Sequence, residues 1–73
     1  MMRTYRIKEA YPYQGRVAEH VAPEDVAETI RPWFPEATDD LENVIDELQG
    51  CLMRGEYHED LAQYLSLVVE RDD

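Results

Sequence analysis

The side chains that could do chemistry in this chain are one cysteine, two histidines and an excess of carboxylates. Cys51 falls three residues after Leu48, on the apolar side of a predicted helix, where a free cysteine behaves as a small hydrophobic residue. Nothing in the spacing brings His20 and His58 together, and a closed metal site needs about four ligands. The chain also lacks the glycine-rich phosphate loops, the nucleophile elbow and the paired cysteines of common enzyme and metal sites. We therefore predict a protein that is not an enzyme and that has no catalytic residue, bound metal or cofactor.

The carboxylates give the chain a net charge of −10, and they are unevenly placed. Residues 1–16 hold four basic residues against one carboxylate, a net +3, whereas residues 17–73 hold sixteen carboxylates against three arginines, a net −13; the two parts give −10. No basic residue lies between Pro32 and Met53. Binding to nucleic acid or to an anionic membrane needs clustered lysine and arginine, so we expect neither as a partner. The partner that this charge favours is a basic protein surface.

Within this stretch the carboxylates recur at helical spacing. Asp39, Glu42 and Asp46 follow the pattern i, i+3, i+7, and a second row follows i, i+7, all opposite the apolar stripe of the same helix. The predicted partner-binding residues are Glu36, Asp39, Asp40, Glu42, Asp46 and Glu47. Such an array would imitate the phosphates of a nucleic acid, with a merely solubilising surface as the alternative. Neutralisation of Asp39, Glu42 and Asp46 together by the protein's own arginines would rule this hypothesis out.

A β-hairpin is predicted over about residues 3–21. Two stretches in this segment alternate apolar and polar side chains, which is the period of a strand. In the second stretch, Val17 and Val21 are expected to face one way. Between the two stretches, Pro12 cannot donate to a strand ladder and Gly15 tolerates positive φ, so this part of the chain is predicted to be the hairpin loop.

Three α-helices are predicted after the hairpin, over about residues 23–31, 38–54 and 56–70. Pro23 suits the first turn of the first helix, and Thr38 is a suitable N-cap for the second. Gly55 is the expected stop of the second helix. Apolar residues recur at helical spacing in each of the three, which favours a shared core with the hairpin. The predicted fold is α+β, with an N-terminal β-hairpin packed against three α-helices.

The last predicted helix carries more apolar residues than one face can hold. Val68 lies on its apolar stripe, but Leu67 and Val69 do not, so the hairpin covers these two or they form an exposed contact patch. Tyr11 and Tyr13, in the hairpin loop, are further candidates for an apolar contact, with burial in the core as the alternative. An exposed patch would allow a homodimer through this helix. The alternative function is therefore a structural or regulatory module whose acidity serves solubility.

Cys51 is the only cysteine, which excludes an intrachain disulfide, and the sequence shows no signal peptide and no membrane-spanning stretch. A single cytoplasmic domain over residues 1–73 is the simplest expectation. In size and charge the chain resembles the small acidic inhibitors that bacteriophages encode against host nucleic-acid machinery, including DNA mimics and anti-CRISPR proteins; no motif carries this resemblance. The predicted function is a non-catalytic acidic binding protein that occupies the basic groove of a nucleic-acid-binding protein or complex. A metal-dependent enzyme that uses His20 or His58 is the least favoured alternative.

Overall fold

The computed structural model describes residues 3–10, 15–57 and 59–72. Its strands are β1 (Tyr5–Glu9), β2 (Val17–Val21) and β3 (Leu67–Arg71), and its helices are α1 (Val26–Ile30), α2 (Asp39–Met53) and α3 (Glu59–Tyr64). Short 3-10 turns, Pro23–Asp25 and Arg31–Trp33, flank α1. Among these described residues no helix is both long and apolar enough to cross a membrane. The strands and helices given above make the chain an α+β protein, as its sequence predicts.

The sheet has three antiparallel strands in the order β2-β1-β3, so β1 is central. The pairing of β1 with β2 confirms the predicted hairpin. Tyr5 pairs with Val21 on one side and with Arg71 on the other, which places the two ends of the chain beside each other. One face of the sheet packs against the helices, and every strand and α-helix contributes side chains to the core between them.

A β-bulge in β2 changes which side chains of that strand face the core. Tyr5 pairs with Val21 and Ile7 pairs with Ala18, so the register advances three residues on β2 for two on β1. The extra residue turns Ala18 toward the core together with Val21, and it leaves Val17 46% exposed. The expectation that Val17 and Val21 share one face is therefore wrong.

The second predicted helix is confirmed by α2 and by both of its ends. The Oγ1 atom of Thr38 accepts a hydrogen bond from the N–H of Leu41 at 3.3 Å, as expected of an N-cap. Ile45 and Leu48 are fully buried on the apolar stripe. The helix stops just before Gly55, which has a φ of +78° that glycine adopts without strain.

The first predicted helix, over residues 23–31, is not one continuous α-helix. Pro23 begins a 3-10 turn, α1 follows with only five residues, and a second 3-10 turn contains Pro32. Proline has no N–H to donate, and its ring clashes with the preceding helical turn. The α-helical part is therefore confined to the segment between the two prolines.

The third predicted helix, over residues 56–70, is wrong in its second half. The helix α3 ends at Tyr64, and the chain then continues as β3 in register with β1. Ser66 makes the change of direction possible, because its φ of 57° lies in the left-handed region. Its carbonyl oxygen accepts a hydrogen bond from the N–H of Ala10 at 2.9 Å, which joins this turn to the sheet. The predicted hairpin packed against three helices is therefore not what forms: the second half of the last helix is instead the third strand of the sheet, and α3 is shorter than predicted.

Leu67 and Val69 point from β3 into the core, and both are buried. They share the inner face because side chains of a strand alternate with a period of two. Of the two alternatives for Leu67 and Val69, burial is therefore the one observed, and the exposed contact patch is wrong. The homodimer alternative consequently loses the C-terminal helix through which the two copies would pair.

Replacing Ser66 by glycine is expected to stabilise the fold by about 0.5–1 kcal/mol, because a residue with a Cβ atom is strained at positive φ and glycine is not. Ser66→Ala is the matched control, since it keeps the Cβ atom, and it is expected to be no more stable than the wild type. Urea unfolding of the three proteins measures the difference. An equal gain for alanine would show that the serine hydroxyl, and not the backbone conformation, limits stability.

Candidate functional site on the acidic helices

The helices α1 and α2 run antiparallel and present their acidic side chains outward. The N–H of Ala27 donates to Oε1 of Gln49 at 2.7 Å, whereas Arg31, four residues later, reaches Glu42 and Asp46 nearer the start of α2. Because the apolar stripe of α2 is buried against the sheet and α1, its polar face is turned to solvent. The fold thus holds a row of carboxylates on one rigid helix.

The structure describes all six predicted contact residues. Glu36, Asp39, Asp40, Asp46 and Glu47 are exposed, and Glu42 is half-exposed. Asp39 and Asp40 are the first two residues of α2, where the positive end of the helix dipole stabilises carboxylates. Glu36 lies in the turn before the helix, in which the N–H of Ala37 donates to the carbonyl of Phe34 at 3.2 Å.

Arg31 joins two of these carboxylates and interrupts the predicted row. Its Nε lies 3.1 Å from Oε2 of Glu42, and its Nη2 lies 3.0 Å from Oδ1 of Asp46. All three side chains are substantially exposed, so each ion pair contributes at most about 1 kcal/mol to stability. The electrostatic consequence is larger, since the three side chains together carry a charge of −1 instead of −2. This contact could not be predicted from spacing, because Arg31 precedes the segment without basic residues and only the antiparallel packing of α1 brings it there.

Of the three carboxylates in this row, Glu42 and Asp46 are thus neutralised in part and Asp39 is not. Four of the six predicted residues, namely Glu36, Asp39, Asp40 and Glu47, have no ion pair among the described residues. We call these four the open carboxylates. They lie on both sides of the Arg31 contact, so the acidic surface persists with its centre neutralised in part.

Two basic residues of the hairpin, Arg6 and Lys8, are engaged by carboxylates on the outer face of the sheet. Nε of Arg6 lies 3.9 Å from Glu19, and its Nη1 lies 4.0 Å from Glu70. Nζ of Lys8 lies 4.0 Å from the same Glu70 oxygen. The described outer face of the sheet is thus electrically mixed, and the acidic character of the protein is concentrated on the helices.

The residues considered for catalysis lie in separate places. Cys51 is buried, and Nη2 of Arg54 donates to its Sγ at 3.4 Å. His20 is exposed. Its backbone N–H donates to Oδ2 of Asp72 at 2.7 Å, and the Nδ1 atom of its imidazole lies 3.3 Å from the same oxygen. Within the described ranges, no group of three or more His, Cys, Asp or Glu side chains is arranged to hold a metal ion. His58, Tyr11 and Tyr13 lie outside the described residues, and the expectations about them stay predictions.

The fold changes the acidity of Tyr57. Partial burial raises the pKa of its phenol above the ordinary value of 10.0, and the nearby charge of Glu59 raises it further. Both causes act against the phenolate, because burial removes water from it and Glu59 repels it. The phenol therefore stays neutral, and remains a hydrogen-bond donor, to a higher pH than a free tyrosine.

The acidic surface of this chain lies on α2 and on the turn before it. The buried stripe of α2 fixes the geometry of this surface, and among the residues described Arg31 is the one basic side chain that forms ion pairs with predicted contact residues. No protein-family model, no curated protein and no solved structure matches the chain.

Proposed function

We propose that this protein is a non-catalytic binding protein whose acidic α2 surface occupies the basic groove of a nucleic-acid-binding protein or complex. In this proposal it acts as a nucleic-acid mimic of the kind that phage-encoded anti-defence inhibitors use. The observation that carries the proposal is the set of open carboxylates around α2, held outward by the buried stripe beneath them. A fixed array of anions meets a groove of lysine and arginine without having to be ordered on binding.

The mechanism is competitive occupancy, in which the charge mainly speeds association. Asp39 and Glu47 are eight residues apart on α2, which corresponds to about 12 Å along the helix axis. Carboxylates spread over this length steer a basic groove toward the helix and fix its orientation. The Arg31 contact limits this attraction, because its guanidinium already donates to Glu42 and Asp46.

The proposal is tested by capturing the partner from extracts of the native host at low and at high salt. A partner recruited through open carboxylates is expected to be retained at low salt and lost at high salt, since screening weakens attraction between exposed charges. Retention that does not depend on salt would contradict the proposal.

The double substitution Asp39→Lys with Asp40→Lys is expected to lower the association rate about tenfold or more, and to weaken its salt dependence. The matched control is Glu24→Lys with Asp25→Lys, which changes the net charge by the same amount. This pair is also adjacent and exposed in a first helical turn, but it lies close to Ala27, whose N–H contacts Gln49 near the other end of α2 from Asp39. Stopped-flow or surface-based kinetics with the captured partner measures the rates. Equal effects of the two double substitutions would show that only the total charge matters, and that the acidity serves solubility instead of a specific surface.

Replacing Arg31 by glutamine is expected to increase the association rate with the same partner about two- to fivefold at low salt. The substitution removes one positive charge, so the net charge becomes one unit more negative, and it takes the guanidinium away from Glu42 and Asp46. Because the pairs are exposed, stability is expected to fall by about 1 kcal/mol or less. A slower association would indicate that Arg31 holds these carboxylates in the geometry that the partner needs.

A further inference from the structure

A cleft of about 300 Å³ opens beside the end of the sheet, and three aromatic side chains and one carboxylate line it. Trp33 and Phe34 follow α1, Tyr64 is the last residue of α3, and Glu9 is the last residue of β1. Leu65, which is buried, also lines the cleft. We call this site the aromatic cleft. Side chains from three separate parts of the chain converge in it, so it exists only in the folded protein.

The carboxylate of Glu9 is held in a fixed position at this site. It lies on the inner side of β1, with Tyr5 and Ile7, and its side chain is only 14% exposed. Its Oε1 accepts a hydrogen bond from the backbone N–H of Arg16 at 3.0 Å, and the same oxygen lies 3.9 Å from the side-chain Nε of Arg16. Both contacts use the same oxygen, and among the described residues none forms a hydrogen bond or ion pair with Oε2. One oxygen therefore orients the carboxylate and the other is available to a donor.

The aromatic rings remain accessible. Tyr64 is 60% exposed, and Trp33 and Phe34 are only half-buried against the core. The face of an aromatic ring carries a negative electrostatic potential and attracts cations within about 6 Å of its centre. The carboxylate of Glu9 adds to this attraction, and the guanidinium of Arg16, whose Nε lies 3.9 Å from Oε1, offsets part of its charge. The chemistry of the cleft therefore fits an organic cation with a flat, weakly hydrated surface.

We propose that the aromatic cleft binds the side chain of an arginine that the partner presents. A guanidinium stacks on aromatic rings and can donate to a single carboxylate oxygen such as Oε2 of Glu9, whereas the ammonium of lysine is a more strongly hydrated point charge. The cleft adjoins the acidic surface, because Phe34 begins the turn that contains Glu36. An arginine in the cleft would anchor a partner that the open carboxylates attract. This inference takes one premise from the proposed function, namely that the partner is a basic protein.

Trp33 is the only tryptophan of the chain, so its fluorescence reports on the cleft. Titration of the full chain with N-acetyl-arginine amide is expected to give a saturable change in fluorescence, with a Kd of about 1–10 mM. N-acetyl-citrulline amide has nearly the same shape without the charge, and it is expected to give no saturation over the same range. N-acetyl-lysine amide is expected to bind at least about threefold more weakly than the arginine amide.

Two variants assign the binding to the cleft. Glu9→Gln keeps the shape of the side chain and its contact with the N–H of Arg16, and it is expected to weaken binding of the arginine amide about five- to tenfold. Tyr64→Ala removes an exposed ring and is expected to weaken it about threefold. Tyr57→Ala is the control, because Tyr57 is also a largely exposed tyrosine but does not line the cleft, and it is expected to change nothing. Circular dichroism establishes that each variant is folded before its affinity is compared.

Equal binding of the citrulline and arginine amides, or an unchanged affinity in Glu9→Gln, would overturn the assignment. The experiment separates this inference from the proposed function. If the arginine amide binds in the cleft and partner capture is unchanged by the Asp39→Lys and Asp40→Lys substitutions, the cleft is supported and the acidic surface is rejected. Loss of capture on those substitutions, with no arginine binding, rejects the cleft and leaves the acidic surface.

Discussion

Replacing Leu67 by aspartate is expected to unfold the protein or remove most of its stability, whereas the same replacement of Val68 is expected to leave it folded. Leu67 lies on the inner face of β3 and is only 4% exposed. The substitution gives up about 1.5–3 kcal/mol of burial and places an unpaired carboxylate in the core, which costs considerably more. A domain of this length is stable by only about 4–11 kcal/mol in total.

Val68 is a matched control on the same strand. It is half-buried on the opposite face, directly across from Lys8 in the pairing of β1 with β3. An aspartate there forms an opposite-charge pair with Lys8, worth about 0.2–1 kcal/mol, which offsets part of the lost apolar contact.

The two variants distinguish the strand from the helix that the sequence predicts. In a helix over residues 56–70, Val68 lies on the apolar stripe and Leu67 does not, so the sensitivities would be reversed. Thermal unfolding followed by circular dichroism measures both variants. A folded Leu67→Asp protein beside an unfolded Val68→Asp protein would show that the C-terminal segment is helical and that β3 is wrong.

The sequence predicts α2 well because its signals are local. Thr38, the apolar stripe through Leu48 and the stop at Gly55 all act within the helix or directly beside it. Their physical causes are a capped N–H, a buried face and a residue that tolerates positive φ. None of them depends on where the rest of the chain lies.

The sequence misses β3 because the decisive interactions are distant and the local signals are ambiguous. Apolar residues from Leu61 to Val69 are dense enough to satisfy a helical or a strand period. The helix α3 ends just before Ser66, a residue type that does not usually mark such an end, and β3 then pairs with β1 at the other end of the chain. A local pattern cannot anticipate a partner strand about 60 residues away.

The same limit applies to the candidate sites. Three of the four open carboxylates, Asp39, Asp40 and Glu47, could be named from their spacing along α2, because exposure on a helix follows from the position of the apolar stripe. The neutralising contact from Arg31 and the convergence of Glu9, Trp33 and Tyr64 could not, since they depend on how α1, β1 and α3 are arranged. The acidic residues are thus predictable one by one, and the charge that a partner meets is not.

Replacing Leu48 by alanine is expected to destabilise the protein by about 2–5 kcal/mol, which is a large part of its total stability. Leu48 is fully buried in the core, between the sheet and the helices. Truncation removes apolar contacts and leaves a cavity that a small core cannot fill by moving. Urea unfolding monitored by Trp33 fluorescence or circular dichroism measures the loss.

The matched control is Leu41→Ala, the same truncation on the same helix at a position that is only partly buried. Its expected cost is about 1 kcal/mol, because the truncation removes less buried apolar surface than Leu48→Ala does, and water can fill the space that is left. The comparison also bears on the acidic surface. The carboxylates of α2 are turned outward only because the side of the helix that carries Leu48 is turned inward. If both truncations cost the same, the helix is rotated from the orientation described, and the open carboxylates cannot form the surface that the proposed function requires.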